Sequence, residues 1–148
     1  MSSILHSEDE AETRELGVRL AAYLVPDGIL LLSGELGSGK TVLAQGIAQG
    51  MGIDPLQVQS PSFTLIREHE GSRGRMVHID LYRLEEPAIE SLGLWEILAE
   101  PAVKVVEWAE RIPFAVAGAL RVEIEVLHPS QRRRLVVHGL NDSGAETK

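Results

Sequence analysis

The sequence predicts an α/β domain whose central mixed, mostly parallel sheet is flanked by helices. Three observations carry that expectation. The run ILLLS over 29–33 is short and uninterruptedly apolar, as a strand buried on both faces requires. It opens directly into a glycine-rich loop, GELGSGKT over 34–41, and a helical apolar pattern follows that loop. A second buried run, AVKVVEW over 102–108, closes on an acid and an aromatic.

The elements follow in order. Ser7-Glu-Asp-Glu10 has the spacing of a capping box. Behind it Ala11, Leu16, Leu20, Tyr23 and Leu24 fall near helical spacing, and Pro26-Asp27-Gly28 ends the helix. After the strand and the glycine loop, Val42, Leu43, Ile47 and Met51 share one face of a second helix. Gly46 and Gly50 each cost about 1 kcal/mol there relative to alanine. SPSFTLIREH over 60–69 reads as a polar turn leading into a strand. GSRG over 71–74 is a hairpin turn, and RMVHIDLYRL over 75–84 alternates as the return strand. An acidic helical stretch with Leu92, Leu94, Ile97 and Leu98 precedes the run at 102–108. Two late strands, Leu120–Leu127 and Arg133–His138, complete a domain expected over 1–140. NDSGAETK, 141–148, reads as a short polar flexible tail.

A chain of 148 residues suits one domain, and at that size about 68–70% of the unfolded surface is buried on folding. Its 44% hydrophobic and 24% charged residues are ordinary for a soluble globular protein. No apolar run reaches the roughly 18 residues of a membrane helix. Met1–Ser7 also lacks a basic start with an apolar core, so a cytoplasmic protein without membrane contact is expected. The absence of cysteine excludes disulfides and thiolate metal sites. A formal net charge of −8 repels nucleic-acid phosphates and argues against tight tRNA or DNA binding by the chain alone.

Residues 34–41 fit G-x-x-x-x-G-K-[ST], and a strand before it with a helix after it is the context this motif needs. Gly34, Gly37 and Gly39 let successive N–H groups turn inward toward phosphate oxygens. The helix that follows adds its positive end. Lys40 is expected at the β- and γ-phosphates and the Thr41 hydroxyl on Mg²⁺. The nucleotide-contacting set is Glu35, Leu36, Gly37, Ser38, Gly39, Lys40, Thr41 and Val42, with the Ser62 hydroxyl as a further candidate; Trp108 beside Glu107 reads as packing. ATP and Mg²⁺ are the expected cofactors of a P-loop NTPase-like domain.

Mg²⁺ and an attacking oxygen also have to be positioned, and an acid at the end of a buried strand does this. Glu107 follows VKVV, and Asp80 lies in VHIDLY on a predicted strand. With Lys40 they form the expected catalytic set, and with Thr41 the expected metal set. The spacing does not assign one carboxylate to the metal and the other to water. Ser60, Ser62 and Thr64 around Pro61 are hydroxyls suited to sensing a γ-phosphate from a mobile loop, or to turn chemistry alone. His78 alternates with Asp80, so the two share a face, and a hydrogen-bonding core histidine is a more economical reading than a metal ligand. Arg132–Arg134 reads as a solvated strand end or a docking contact for an acidic partner.

Taken together, GELGSGKT, SPSFTL, HIDLYRL and VVEWAERIP, in this order and spacing, resemble the small bacterial TsaE (YjeE-like) ATPases of tRNA threonylcarbamoyladenosine synthesis. The resemblance spans about residues 7–138 and includes the leading ETRELG. It implies Mg-ATP binding and slow, partner-dependent hydrolysis, with the TsaD and TsaB proteins of the threonylcarbamoyl transferase complex as partners. It makes Lys40 and Thr41 phosphate and Mg²⁺ residues, Asp80 and Glu107 the essential acids, and Ser60–Phe63 a switch-like segment. Trp108 and Arg83 lie inside family motifs, where they serve the nucleotide or an interface. One departure is visible: the family's S-P-T-F is S-P-S-F here, so Ser62 keeps the hydroxyl and loses the methyl. The alternatives are a small-molecule kinase, or a regulatory nucleotide-binding subunit with negligible hydrolysis of its own. A GTPase is weaker, since no N-K-x-D motif is present.

Overall fold

The computed structural model describes residues 2–35, 37–59, 66–82 and 84–140. Along them run β1 (Ser2–Ser7), α1 (Glu10–Leu24), β2 (Ile29–Gly34), α2 (Lys40–Gly50), β3 (Ile66–Gly71), β4 (Gly74–Asp80), α3 (Glu86–Ser91), α4 (Leu94–Leu98), β5 (Val103–Glu107), β6 (Leu120–Val126) and β7 (Arg133–His138). The strands form one sheet in the order β1-β7-β6-β2-β5-β4-β3. Neighbours among β6, β2, β5 and β4 are parallel, whereas β1, β7 and β3 join antiparallel. The sheet is mixed, as predicted, with its parallel pairings confined to the centre.

Successive residues of the central strands point to opposite faces, and both faces are covered. Leu30, Leu32, Val103 and Val105 pack with α1 and α2 residues such as Leu16, Leu43 and Ile47. Leu31, Val77, Ile79 and Val106 pack on the other side with Ile89, Leu94 and Leu98. This two-sided burial is why the parallel strands read as continuous apolar runs. The helices α1 and α2 meet backbone to backbone. A Cβ on Gly46 would lie 2.0 Å from the Arg14 carbonyl oxygen, and one on Gly17 2.4 Å from that of Leu43. Gly46 therefore weakens its own helix and permits the helix pair.

Several sequence expectations shift. The capping box at Ser7–Glu10 moves two residues along: Asp9 is the N-cap and accepts the Glu12 N–H at 2.9 Å, while the Glu12 carboxylate accepts the Glu8 N–H at 2.7 Å. Ser7 instead ends β1, an unpredicted edge strand that pairs with β7. Its Ile4 is 61% exposed, so β1 is held by ladder hydrogen bonds and carries little apolar alternation to read. The acidic helical stretch is two short helices, broken where Gly93 takes φ 78°. The return strand stops at Asp80, where the Leu81 N–H turns to the Glu107 carbonyl at 3.2 Å. Trp108, predicted within a strand, lies beyond it with φ 62°. The GSRG hairpin is present, pairing Gly71 with Gly74. Residues 60–65 and 141–148, with Leu36 and Arg83, lie outside the described residues. Among the described residues no helix is long and apolar enough to cross a membrane.

Candidate functional site

Register brings the site together. Leu32 of β2 and Asp80 of β4 both pair with Glu107 of β5, so three parallel strands end side by side. In open α/β sheets ligands sit at those carboxyl ends. From β2 the chain passes through Gly34, Gly37 and Gly39, with φ of 149°, 79° and 114°, into α2. The last two conformations strongly favour glycine. Gly39 caps α2 without any side-chain hydrogen bond. The first N–H groups of the helix are thus available to an anion, the arrangement that suits phosphate.

Lys40 is 5% exposed. Its Nζ donates to the carbonyls of Gly34 at 2.6 Å and Glu35 at 2.9 Å, and lies 4.3 Å from the centre of the Trp108 ring. Burial pushes its pKa below the ordinary lysine value, while Glu107, Glu110, Asp80 and Glu35 pull the other way. Trp108 reaches it from a left-handed backbone conformation that costs about 1–2 kcal/mol in a non-glycine residue. Its ring also packs on Tyr82, with centroids 4.7 Å apart.

The Thr41 hydroxyl lies 3.1 and 3.3 Å from the two Glu107 carboxylate oxygens. His78 Nε2 stands 2.6 Å from the nearer of these oxygens, Oε2. His78 is a hydrogen-bonding histidine, as its alternation with Asp80 suggests, and Glu107 is its partner. Asp80 is 3% exposed and accepts the Tyr82 N–H at 2.9 Å. Thr41, Glu107 and Asp80 offer hard oxygen donors, the chemistry Mg²⁺ takes. Among the described residues no three His, Cys, Asp or Glu side chains form a metal cage. Mg²⁺ bound with nucleotide needs none, since one or two carboxylates, phosphate oxygens and water complete its shell.

Of the predicted site residues, the structure groups Lys40, Thr41, Glu107 and Trp108 by direct contact, and Asp80 by strand register. Gly37, Ser38 and Gly39 form the loop, and Glu35 contributes its carbonyl while its side chain is exposed. Leu36 and Ser62 lie outside the described residues, as does the rest of the predicted switch segment. Val42 lines a recess beside the loop with Gly37, Gly39, Asp9, Thr13 and Arg133.

Sequence reasoning missed Thr13 and Arg133 as neighbours of this loop. Arg133 Nε donates to the Ser38 carbonyl at 2.8 Å. Its neighbours are also engaged, Arg132 with Glu8 at 2.9 Å and Arg134 with Glu125. The basic cluster is thus divided among internal contacts. Only a sheet order placing β7 two strands from β2 brings Arg133 to the loop, and no local pattern announces that.

The chain matches the family model "Threonylcarbamoyl adenosine biosynthesis protein TsaE" over residues 7–136. It is 42% identical over 118 residues to a tRNA threonylcarbamoyladenosine biosynthesis protein TsaE of Nostoc sp., covering 77% of this chain and 72% of that one. A Bacillus subtilis protein of the same name is 35% identical over 135 residues, covering 91% and 77%. The crystal structure of Bacillus subtilis YdiB matches with a TM-score of 0.71 at 27% identity, over 93% of this chain and 84% of that one.

Proposed function

The chain belongs to the TsaE family of threonylcarbamoyl adenosine biosynthesis proteins, and from that premise we propose that it is an Mg²⁺-dependent ATP-binding and ATP-hydrolysing subunit. Its activity serves tRNA N6-threonylcarbamoyladenosine modification by acting on a TsaD–TsaB transferase complex. The observation that carries this reading is the contact of Thr41 with Glu107 beside Lys40, at the carboxyl ends of β2 and β5.

The loop N–H groups and the end of α2 bind phosphate oxygens, and Lys40 exchanges the Gly34 and Glu35 carbonyls for them. Mg²⁺, when bound, supplies positive charge to the phosphoryl oxygens. Thr41 and Glu107 are the residues to hold it, which their mutual contact supports. Asp80 is then the carboxylate left to orient water, whose oxygen takes the γ-phosphoryl group and releases ADP and phosphate. The recess between Thr13, Val42 and Arg133 gives the base a place beside the loop. Trp108, whose ring centre lies 4.3 Å from Lys40 Nζ, lines the site from the side of the lysine.

Slow hydrolysis by the chain alone is part of this reading, which stands close to the regulatory-subunit alternative. Phosphate release with and without purified TsaD and TsaB tests this, comparing the wild type with Lys40→Ala and Glu107→Ala. Low basal release that rises with partners and collapses in both variants is expected. Undiminished release in Glu107→Ala, or phosphate passed to a small acceptor, contradicts it. The isolated chain, at net charge −8, binds tRNA weakly or not at all; submicromolar affinity at physiological salt speaks against that.

A further inference from the structure

The hydrogen bond that His78 makes is to Glu107, a residue expected at the cation and not at the phosphates. His78 stands on β4, where its Cα pairs with Val105 of β5, two residues before Glu107. Its side chain is wholly buried, and Glu107 is 3% exposed. A carboxylate only accepts hydrogen bonds, so at 2.6 Å the donor is His78 Nε2–H. The other ring nitrogen, Nδ1, is buried with no hydrogen-bond partner among the described residues. The imidazole is therefore polarised toward one task, since an apolar side chain would fill the same space without leaving a polar atom unpaired.

That task follows from how Glu107 is divided. Oε2 is shared between His78 and the Thr41 hydroxyl, whereas among the described residues Oε1 has a hydrogen bond only from Thr41, at 3.3 Å. Without the imidazole only the Thr41 hydroxyl holds the carboxylate, and since it reaches both oxygens it does not reserve either one for a cation. We infer that His78 is a positioning residue: its Nε2–H fixes the Glu107 carboxylate so that Oε1, beside the Thr41 hydroxyl, is presented to the divalent cation that accompanies the nucleotide. This rests on the metal-and-nucleotide reading above. Hydrogen bonds of this outer kind orient metal ligands, and their loss costs about 10–100-fold in metal affinity or activity.

The test is the effect of Mg²⁺ on nucleotide affinity, measured with a fluorescent ADP analogue in Mg²⁺ and in EDTA. In the wild type Mg²⁺ tightens binding. In His78→Leu the Mg²⁺ concentration for half-maximal tightening rises about tenfold or more, while affinity in EDTA is unchanged. His78→Gln, whose amide nitrogen reaches about as far as Nε2, restores most of the effect. A merely structural histidine would alter stability in all conditions and leave the Mg²⁺ dependence of the folded protein intact. That result in His78→Leu overturns the inference. If the wild type shows no Mg²⁺ effect, the metal reading falls and takes the inference with it. Nitrogen-15 spectra of the wild type give a second readout that needs no variant. A ring proton on Nε2 that is protected from exchange and shifts on adding Mg²⁺ and ADP is expected, and a ring protonated on Nδ1 alone contradicts it.

Discussion

Lys40 and Lys104 are both buried lysines, at 5% and 2% exposure, and each donates to two backbone carbonyls. Burial lowers both pKa values while nearby carboxylates oppose it. They stand at opposite ends of the same strands. Lys104 pairs with Ile29 where β2 begins, and Lys40 follows the loop where β2 ends. The difference lies in what each nitrogen holds. Lys104 ties the Asp27 carbonyl, 77 residues away, to that of Glu100, locking the turn before β2 to the segment before β5. Lys40 binds carbonyls only five and six residues away, within its own loop, which a phosphate can replace. Burial and hydrogen bonding alone do not mark a functional lysine. The uncapped helix, the left-handed glycines and the Thr41–Glu107 contact do.

Substitutions should separate the two ends. Lys40→Ala is expected to reduce partner-stimulated ATP turnover about 100–1,000-fold, the scale of losing a principal charge-stabilising donor. Its melting temperature changes less than that of Lys104→Ala, because its contacts are local. Lys104→Ala leaves two carbonyls without their charged donor and is expected to cost about 3 kcal/mol in denaturant unfolding, with nucleotide affinity of the folded protein preserved. Lost affinity there, or equal destabilisation by both, breaks the contrast. Gly46→Ala pushes a methyl into the Arg14 carbonyl and should cost about 1–3 kcal/mol, again without a direct effect at the loop.

The smallest effect concerns pH. His69, 9% exposed, is held below its ordinary 6.5 by burial first and by His78 and Arg67 next. The unfolded chain then binds more protons at this position, so its contribution is present above pH 6.5 and is lost as pH falls toward the folded value. His69→Gln should flatten that acid limb of a stability profile. An unchanged slope below pH 6.5 would show that other groups set it.

Much of this architecture was legible because central strands and the loop advertise themselves locally. ILLL and VKVV are apolar but for Lys104 because they are buried on both faces, and GELGSGKT carries its backbone geometry in its glycines. Lys40, Thr41 and the two acids at strand ends follow from that frame. What stayed hidden depends on contacts distant in sequence. β1 exists through its pairing with β7, and Gly46 looks unfavourable until α1 lies across it. The Arg133–Ser38 bond joins residues 95 apart and needs the strand order to be known. Trp108 read as the last strand residue because an aromatic after an apolar run fits a strand, and only its φ of 62° turns it onto Lys40.

A crystal structure of the chain soaked with Mg²⁺ and a non-hydrolysable ATP analogue tests the central claim most directly. The account predicts phosphates on the N–H groups of residues 37–41, with Lys40 Nζ moved from the Gly34 and Glu35 carbonyls onto them. It also predicts Mg²⁺ between Thr41 and Glu107. Nucleotide bound elsewhere, or Lys40 still on its own loop carbonyls with the analogue in place, would contradict it.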